Sequence, residues 1–83
     1  MPSLSHAIDL LLANDWEAAH LIVQADESAL GSWGHGIVHI MEGDLTNAEY
    51  WYRKAGRALP QPPVVRSEIE ALRAAYEEGN QLA

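Results

Sequence analysis

The chain has 83 residues, of which 48% are hydrophobic, and its formal net charge is −7, with 12 acidic against 5 basic side chains. This length and composition describe one small folded domain rather than a disordered chain, and the negative charge disfavours nucleic acid as a partner because phosphate repels it. Cysteine is absent, which excludes disulfide frameworks, thiolate metal sites and thiol chemistry.

No apolar run approaches the roughly 18 residues that a membrane span requires. The apolar stretch "IDLLLA" at 8–13 is too short for a signal peptide, and no basic residue precedes it. We therefore expect a cytoplasmic protein that does not contact a membrane. A chain this short buries only about 60–65% of its unfolded surface, so a homodimer is one route to further stability.

Two helices are predicted in the first third of the chain. Ser3 or Ser5 is a suitable N-cap for the first, and this helix should end near Asn14. Asp15 should cap the second helix, which is apolar on nearly every side and is therefore predicted to be central. The apolar positions that recur at helical spacing are Leu4, Ile8, Leu11 and Leu12 in the first helix and Trp16, Ala19 and Val23 in the second.

The third helix should run from about Ala29 to Glu42. Three glycines lower its helix propensity by about 1 kcal/mol each against alanine, which predicts that another backbone packs closely there. Gly43 suits a left-handed C-cap and Asp44 the N-cap of the next helix. The apolar stripe of this helix consists of Leu30, Trp33, Ile37, Ile40 and Met41.

Two more helices follow, separated by a proline-rich linker at 58–65. The fourth helix should turn Leu45, Ala48, Tyr52 and Ala55 inward. The fifth should run from Val65 or Arg66 to Glu78, with Ile69, Leu72 and Tyr76 inward and Glu68, Glu70, Arg73 and Glu77 facing water. No segment alternates with period two. The predicted architecture is all-α, one domain spanning 1–83, with hairpins at about 4–27 and 29–58, the linker, and a capping helix at about 66–80.

Two segments match each other 29 residues apart: "NDWEAAHLIV" at 14–23 and "GDLTNAEYWY" at 43–52. Each contains a turn residue, an aspartate cap, a bulky apolar residue and then a small one, Ala19 or Ala48. This pattern predicts one helical hairpin used twice, in which the alanine lets two helices approach closely.

The second unit resembles a tetratricopeptide repeat in its Gly36, the "GD" turn, Ala48, Tyr52, Ala55 and Pro60, and "AEYWYRKAG" at 48–56 resembles the second helix of Sel1-type repeats. The first unit lacks the terminal proline, and the 29-residue offset is shorter than the usual repeat of about 34. The resemblance implies an antiparallel stack of two hairpins whose open face is covered by the last helix or by a second copy.

The whole chain is also similar to a group of small bacterial proteins without an assigned activity. They share a run that is here Trp33, His35, His39, Glu42, Gly43, Asp44, Asn47, Ala48, Tyr50, Trp51 and Tyr52.

His35, His39 and Glu42 share one face of the third helix, away from Trp33 and Ile37, because residues four and seven apart point the same way. Two histidines at this spacing can ligate zinc or nickel, with Glu42, His20 or Glu49 as a third ligand. The interpretation favoured from the sequence is structural: the histidines are partly buried and hydrogen-bonded to Glu49, Asn47 or Tyr52. The metalloprotease motif is excluded because Gly36 occupies the position of its glutamate.

The three aromatic residues at 50–52 cannot all face one core, so Tyr50 or Trp51 should be peripheral, beside Arg53. The favoured function is a small interaction module that binds a protein partner or itself through Trp33, Ile37, Tyr50, Trp51 and Arg53. The alternative is a metal- or small-molecule-binding protein or enzyme that uses His35, His39 and Glu42. No cofactor is required by the first hypothesis, and the second implies a divalent metal.

Overall fold

The computed structural model describes residues 3–82, with side chains described for residues 3–79. Its five helices are α1 (Leu4–Leu12), α2 (Trp16–Val23), α3 (Ala29–Glu42), α4 (Leu45–Lys54) and α5 (Val65–Leu82). The described residues contain no strand, so the all-α prediction is confirmed. None of the described helices has the length and apolar character needed to cross a membrane. The fifth helix ends at Leu82, a few residues beyond the end predicted at 78–80.

Side-chain caps fix where the first four helices begin. Ser3, Asp15, Ser28 and Asp44 each accept a hydrogen bond from the backbone N–H three residues later. Such a bond satisfies one of the amides that the first turn of a helix leaves without a partner. The predicted starts of the second and fourth helices are therefore confirmed.

The turns that precede α2 and α4 have the same backbone geometry. Asn14 (φ 64°) and Gly43 (φ 89°) both adopt the left-handed conformation. In each turn, the N–H of this residue donates to the carbonyl three residues earlier, and the next N–H donates to the carbonyl five residues earlier. This pattern ends the preceding helix and satisfies two of its last carbonyls. The two segments matched in sequence thus form the same local structure.

The central helix is α3, and our prediction that α2 is central was wrong. Every residue from Gly31 to His39 is buried, and α3 packs against all four other helices. In contrast, α2 buries only Ala19 and Val23, and its Leu21 is 67% exposed. The prediction used only the apolar content of α2, whereas the burial of a helix depends on how many other helices pack against it.

The close packing predicted from the glycines of α3 is confirmed. A Cβ on Gly36 would lie 2.5 Å from Cδ1 of Tyr52 and 3.3 Å from the carbonyl oxygen of Ala48, both on α4. A Cβ on Gly34 would lie 3.2 Å from Cγ1 of Val23 on α2. The missing side chains therefore let α2 and α4 pack closely on α3.

Glu68 was predicted to face water, and it does not. It is half-buried, and its Oε1 accepts hydrogen bonds from the Tyr52 hydroxyl at 2.6 Å and from Trp33 Nε1 at 3.2 Å. Burial and the hydrogen bond to Glu68 raise the pKa of Tyr52 above its ordinary value. Glu68 lies one helical turn before the core residue Leu72, so it lies near the inner face of α5. One carboxylate thus joins α3, α4 and α5.

The Gly36 contact gives a prediction for stability. Gly36→Ala should lower the free energy of unfolding by about 1–3 kcal/mol, because the methyl group overlaps the Tyr52 ring. Gly79→Ala is the matched control: nothing lies within 4 Å of a Cβ there, so it should stabilise α5 by about 0.5–1 kcal/mol. Urea denaturation of both variants measures these changes, and a Gly36→Ala protein at least as stable as wild type would contradict the packing argument.

Candidate metal centre

Three histidines from two helices meet on one face of α3. Nε2 of His20, on α2, lies 3.1 Å from Nε2 of His35, on α3. One ring nitrogen from each of His20, His35 and His39 lies within 4.8 Å of the others. The His35 and His39 rings stack with centroids 5.0 Å apart, as their spacing of one helical turn requires. We call these three residues the histidine cluster.

Packing of α2 against α3 brings His20 into the histidine cluster. Ala19 and Val23 are fully buried, and Val23 packs on α3 beside Gly34. His20 follows Ala19 on the flank of the same helix and is half-buried. On α3, the cluster residues occupy the face opposite Trp33 and Ile37, which point into the apolar core.

Glu42 orients the His39 ring. Its Oε1 lies 2.8 Å from Nδ1 of His39. A carboxylate only accepts, so Nδ1 carries the hydrogen in this contact and Nε2 of neutral His39 retains its lone pair. A ligating histidine whose other ring nitrogen donates to a carboxylate is a recurring arrangement in metal sites. Glu42 thus prepares His39 to ligate through Nε2.

His35 is covered by Trp51, which lies on α4. The two rings stack with centroids 3.8 Å apart and an angle of 11° between their planes. His35 is 5% exposed. Burial first, and then the charges of His20, His39 and Lys54, lower the pKa of His35 from 6.5 to about 4. His35 is therefore neutral at pH 7, which is the form that ligates a metal.

The geometry of the histidine cluster fits a tetrahedral ion. Two imidazole nitrogens that each lie about 2.0–2.1 Å from tetrahedral zinc are about 3.3 Å apart, close to the 3.1 Å between His20 and His35. The third nitrogen lies within 4.8 Å of the other two. Imidazole ligands suit zinc, copper, nickel and iron rather than magnesium or calcium.

A second group of potential ligands shares His39 but fits a metal less well. It consists of His39, Glu42 and Asp44. Asp44 already caps α4 through the Asn47 amide and also accepts from the Asn47 side chain, and these bonds lower its pKa. Glu42 is exposed and paired with His39. These carboxylates are therefore explained by capping and ring orientation.

The structure brings together four of the predicted polar residues and excludes the fifth. His20, His35, His39 and Glu42 form one connected group. Glu49 instead pairs with Arg53 at 3.0 Å on the exposed face of α4. The expected hydrogen bonds from the histidines to Glu49, Asn47 or Tyr52 are not among those formed: Asn47 bonds Asp44, and Tyr52 bonds Glu68.

The predicted aromatic and apolar binding surface is corrected at two residues. Trp33 is 2% exposed and Ile37 is 0% exposed, so both belong to the core and offer no surface to a partner. Tyr50 is 52% exposed and Arg53 is exposed, as a contact residue must be. Trp51 is half-buried against His35 rather than free. Trp51 follows Ala48, which faces α3, by three residues. This helical spacing is a sequence signal that could have predicted the position of Trp51 against α3.

No protein-family model, curated protein or solved structure matches the chain. The case for a metal centre therefore depends on the geometry of the histidine cluster.

The lowered pKa of His35 gives a prediction for the metal-free protein. His35 takes up a proton near pH 6.5 in the unfolded chain but only near pH 4 in the folded chain. The contribution of His35 to the free energy of unfolding is therefore fully present above pH 6.5 and is lost as the pH falls from 6.5 to 4. The loss should be on the order of 3 kcal/mol. Urea unfolding in EDTA from pH 7 to pH 4 measures it. The stability of His35→Gln should decline less steeply with falling pH, whereas the control His6→Gln, changed at an exposed site, should decline as wild type does. Equal declines in wild type and both variants would contradict the lowered pKa of His35.

Proposed function

We propose that this protein binds a divalent transition-metal ion, of the zinc, nickel or copper class, through His20, His35 and His39. The observation that carries the proposal is the convergence of three imidazoles from two helices, with one pair of nitrogens 3.1 Å apart. The Glu42 carboxylate behind His39 supplies the orienting group that metal sites commonly contain.

Packing alone does not require three imidazoles at this position, since apolar side chains of similar size would fill the same space. Burying a polar ring costs free energy unless it is hydrogen-bonded. His20 and His35 hydrogen-bond each other, His39 hydrogen-bonds Glu42, and no buried side-chain polar atom of the described residues lacks a partner. The ligands are therefore held near their binding positions before an ion arrives, which lowers the entropic cost of binding.

The net charge of the chain also favours a cation. The chain carries a net charge of −7, and a negative surface raises the local concentration of metal ions. The Glu42 carboxylate, which bonds His39, adds negative charge beside the cluster.

Metal binding should raise the thermal stability of the protein. For EDTA-treated protein, zinc or nickel at a hundred times its dissociation constant should stabilise the folded state by about 2.7 kcal/mol. His20→Ala and His39→Ala should abolish the shift, whereas His6→Ala, on the exposed face of α1, should preserve it. Thermal melts with and without metal test this. If wild type shows no shift, the histidines are packing residues and the proposal fails.

The role of Glu42 is tested by metal affinity. Glu42→Gln should weaken zinc binding by about 10- to 100-fold, because the amide orients the His39 ring less strongly and makes it less basic. Asp44→Asn is the matched control, since asparagine also caps helices. It should leave zinc affinity unchanged if the three histidines are the ligands. Competition with a chromophoric chelator measures the zinc affinity of both variants. A large effect of Asp44→Asn would instead locate the ion at His39, Glu42 and Asp44.

A second candidate function is the helical interaction module expected from the resemblance to tetratricopeptide and Sel1 repeats. It is favoured by large hydrophobic side chains that remain exposed: Leu21, Leu45, Tyr50 and Val64. In the interaction-module hypothesis, these exposed residues take the place of Trp33 and Ile37, which are buried, as the residues that contact a partner. If the melts show no metal effect, this function becomes the leading one. That the protein binds a protein partner or forms a homodimer remains a prediction, and so does its cytoplasmic location.

A further inference from the structure

We propose that the metal centre is open, so that its fourth coordination position takes hydroxide or another small anion rather than a protein side chain. This inference rests on the proposed metal-binding function. It assigns the site a class of exogenous ligand in addition to the ion.

The first argument is the number of donors. The ligand group formed by His20, His35 and His39 contains no fourth residue among those described. The Glu42 carboxylate contacts Nδ1 of His39, on the opposite edge of the ring from the nitrogen that would bind the ion. Structural zinc sites are closed by four protein ligands, whereas sites with three protein ligands keep one position for water or substrate.

The second argument is access. Both α2 and α4 pack on α3, but no Cα of one lies within 8 Å of a Cα of the other in the described chain. The histidine cluster lies on the part of α3 between them, since His20 comes from α2 and Trp51 from α4. Both of these side chains are only half-buried. His35 and His39 are only 5% and 9% exposed, so solvent and small solutes reach the cluster past the half-buried His20 and Trp51 side chains.

The third argument is charge. Three neutral imidazoles would bring no negative charge to a divalent ion, and the Glu42 carboxylate, which bonds Nδ1 of His39, would compensate only part of the charge of the ion. The Lys54 ammonium lies 5.1 Å from the centroid of the Trp51 ring, which itself stacks on His35. It adds positive charge on the side of the histidine cluster that Trp51 of α4 covers. An anion neutralises part of this charge, and zinc in such a set lowers the pKa of bound water to about 7, so that hydroxide is available at neutral pH.

Cobalt(II) and azide provide the test. The 83-residue protein loaded with cobalt should show visible bands of a four-coordinate ion, and azide should change these bands in a saturable manner. Lys54→Ala should weaken azide binding roughly two- to five-fold, the range of an exposed ion pair, without weakening cobalt binding. Arg66→Ala is the matched control, because Arg66 is an exposed base that pairs with Glu70 on α5; its azide affinity should equal that of wild type.

The outcomes separate the two proposals. If cobalt binds but azide leaves the bands unchanged, the site is closed and this inference is overturned, while the metal-binding function stands. If cobalt does not bind, the metal-binding function itself fails. If azide binds equally well to Lys54→Ala and wild type, the open position is supported and Lys54 has no part in it.

Discussion

The structure depends on the close approach of other helices to α3. Gly36 lies against the Tyr52 ring, and Gly34 lies near Val23. Without side chains at these positions, α2 and α4 pack on the central helix at short distance. Every residue from Gly31 to His39 is consequently buried, including the polar face of the helix. The glycines therefore lower helix propensity locally while allowing contacts that a larger residue would prevent.

The same packing gives the histidines their chemical character. On an isolated amphipathic helix, His35 and His39 would point into water, and the pKa of His35 would stay near 6.5. Here the Trp51 ring covers His35, and His20 completes the group from a neighbouring helix. Burial keeps His35 neutral, and neutral imidazoles are the form that binds transition metals. The helix packing that stabilises the fold therefore also keeps His35 in the neutral form that binds a metal.

Helix boundaries were predictable from the sequence because their causes are local. Asp15, Gly43 and Asp44 act through bonds to residues a few positions away, so their roles are visible in a short window. The central position of α3 and the burial of Glu68 were not predictable in this way. Both depend on which helices become neighbours, and helical periodicity does not contain that information. For the site, the i, i+4 spacing identified His35 and His39, whereas the convergence of His20 and the orienting role of Glu42 required tertiary structure.

The Trp51–His35 stack has a consequence for how the protein can be observed. The sequence contains three tryptophans, and Trp51 is the one whose ring stacks on a member of the histidine cluster. Its fluorescence is therefore coupled to the electronic state of that imidazole, which differs between the neutral, protonated and metal-bound forms. The protein thus carries an intrinsic optical probe a few ångströms from the candidate centre, and events there can be followed without an attached dye.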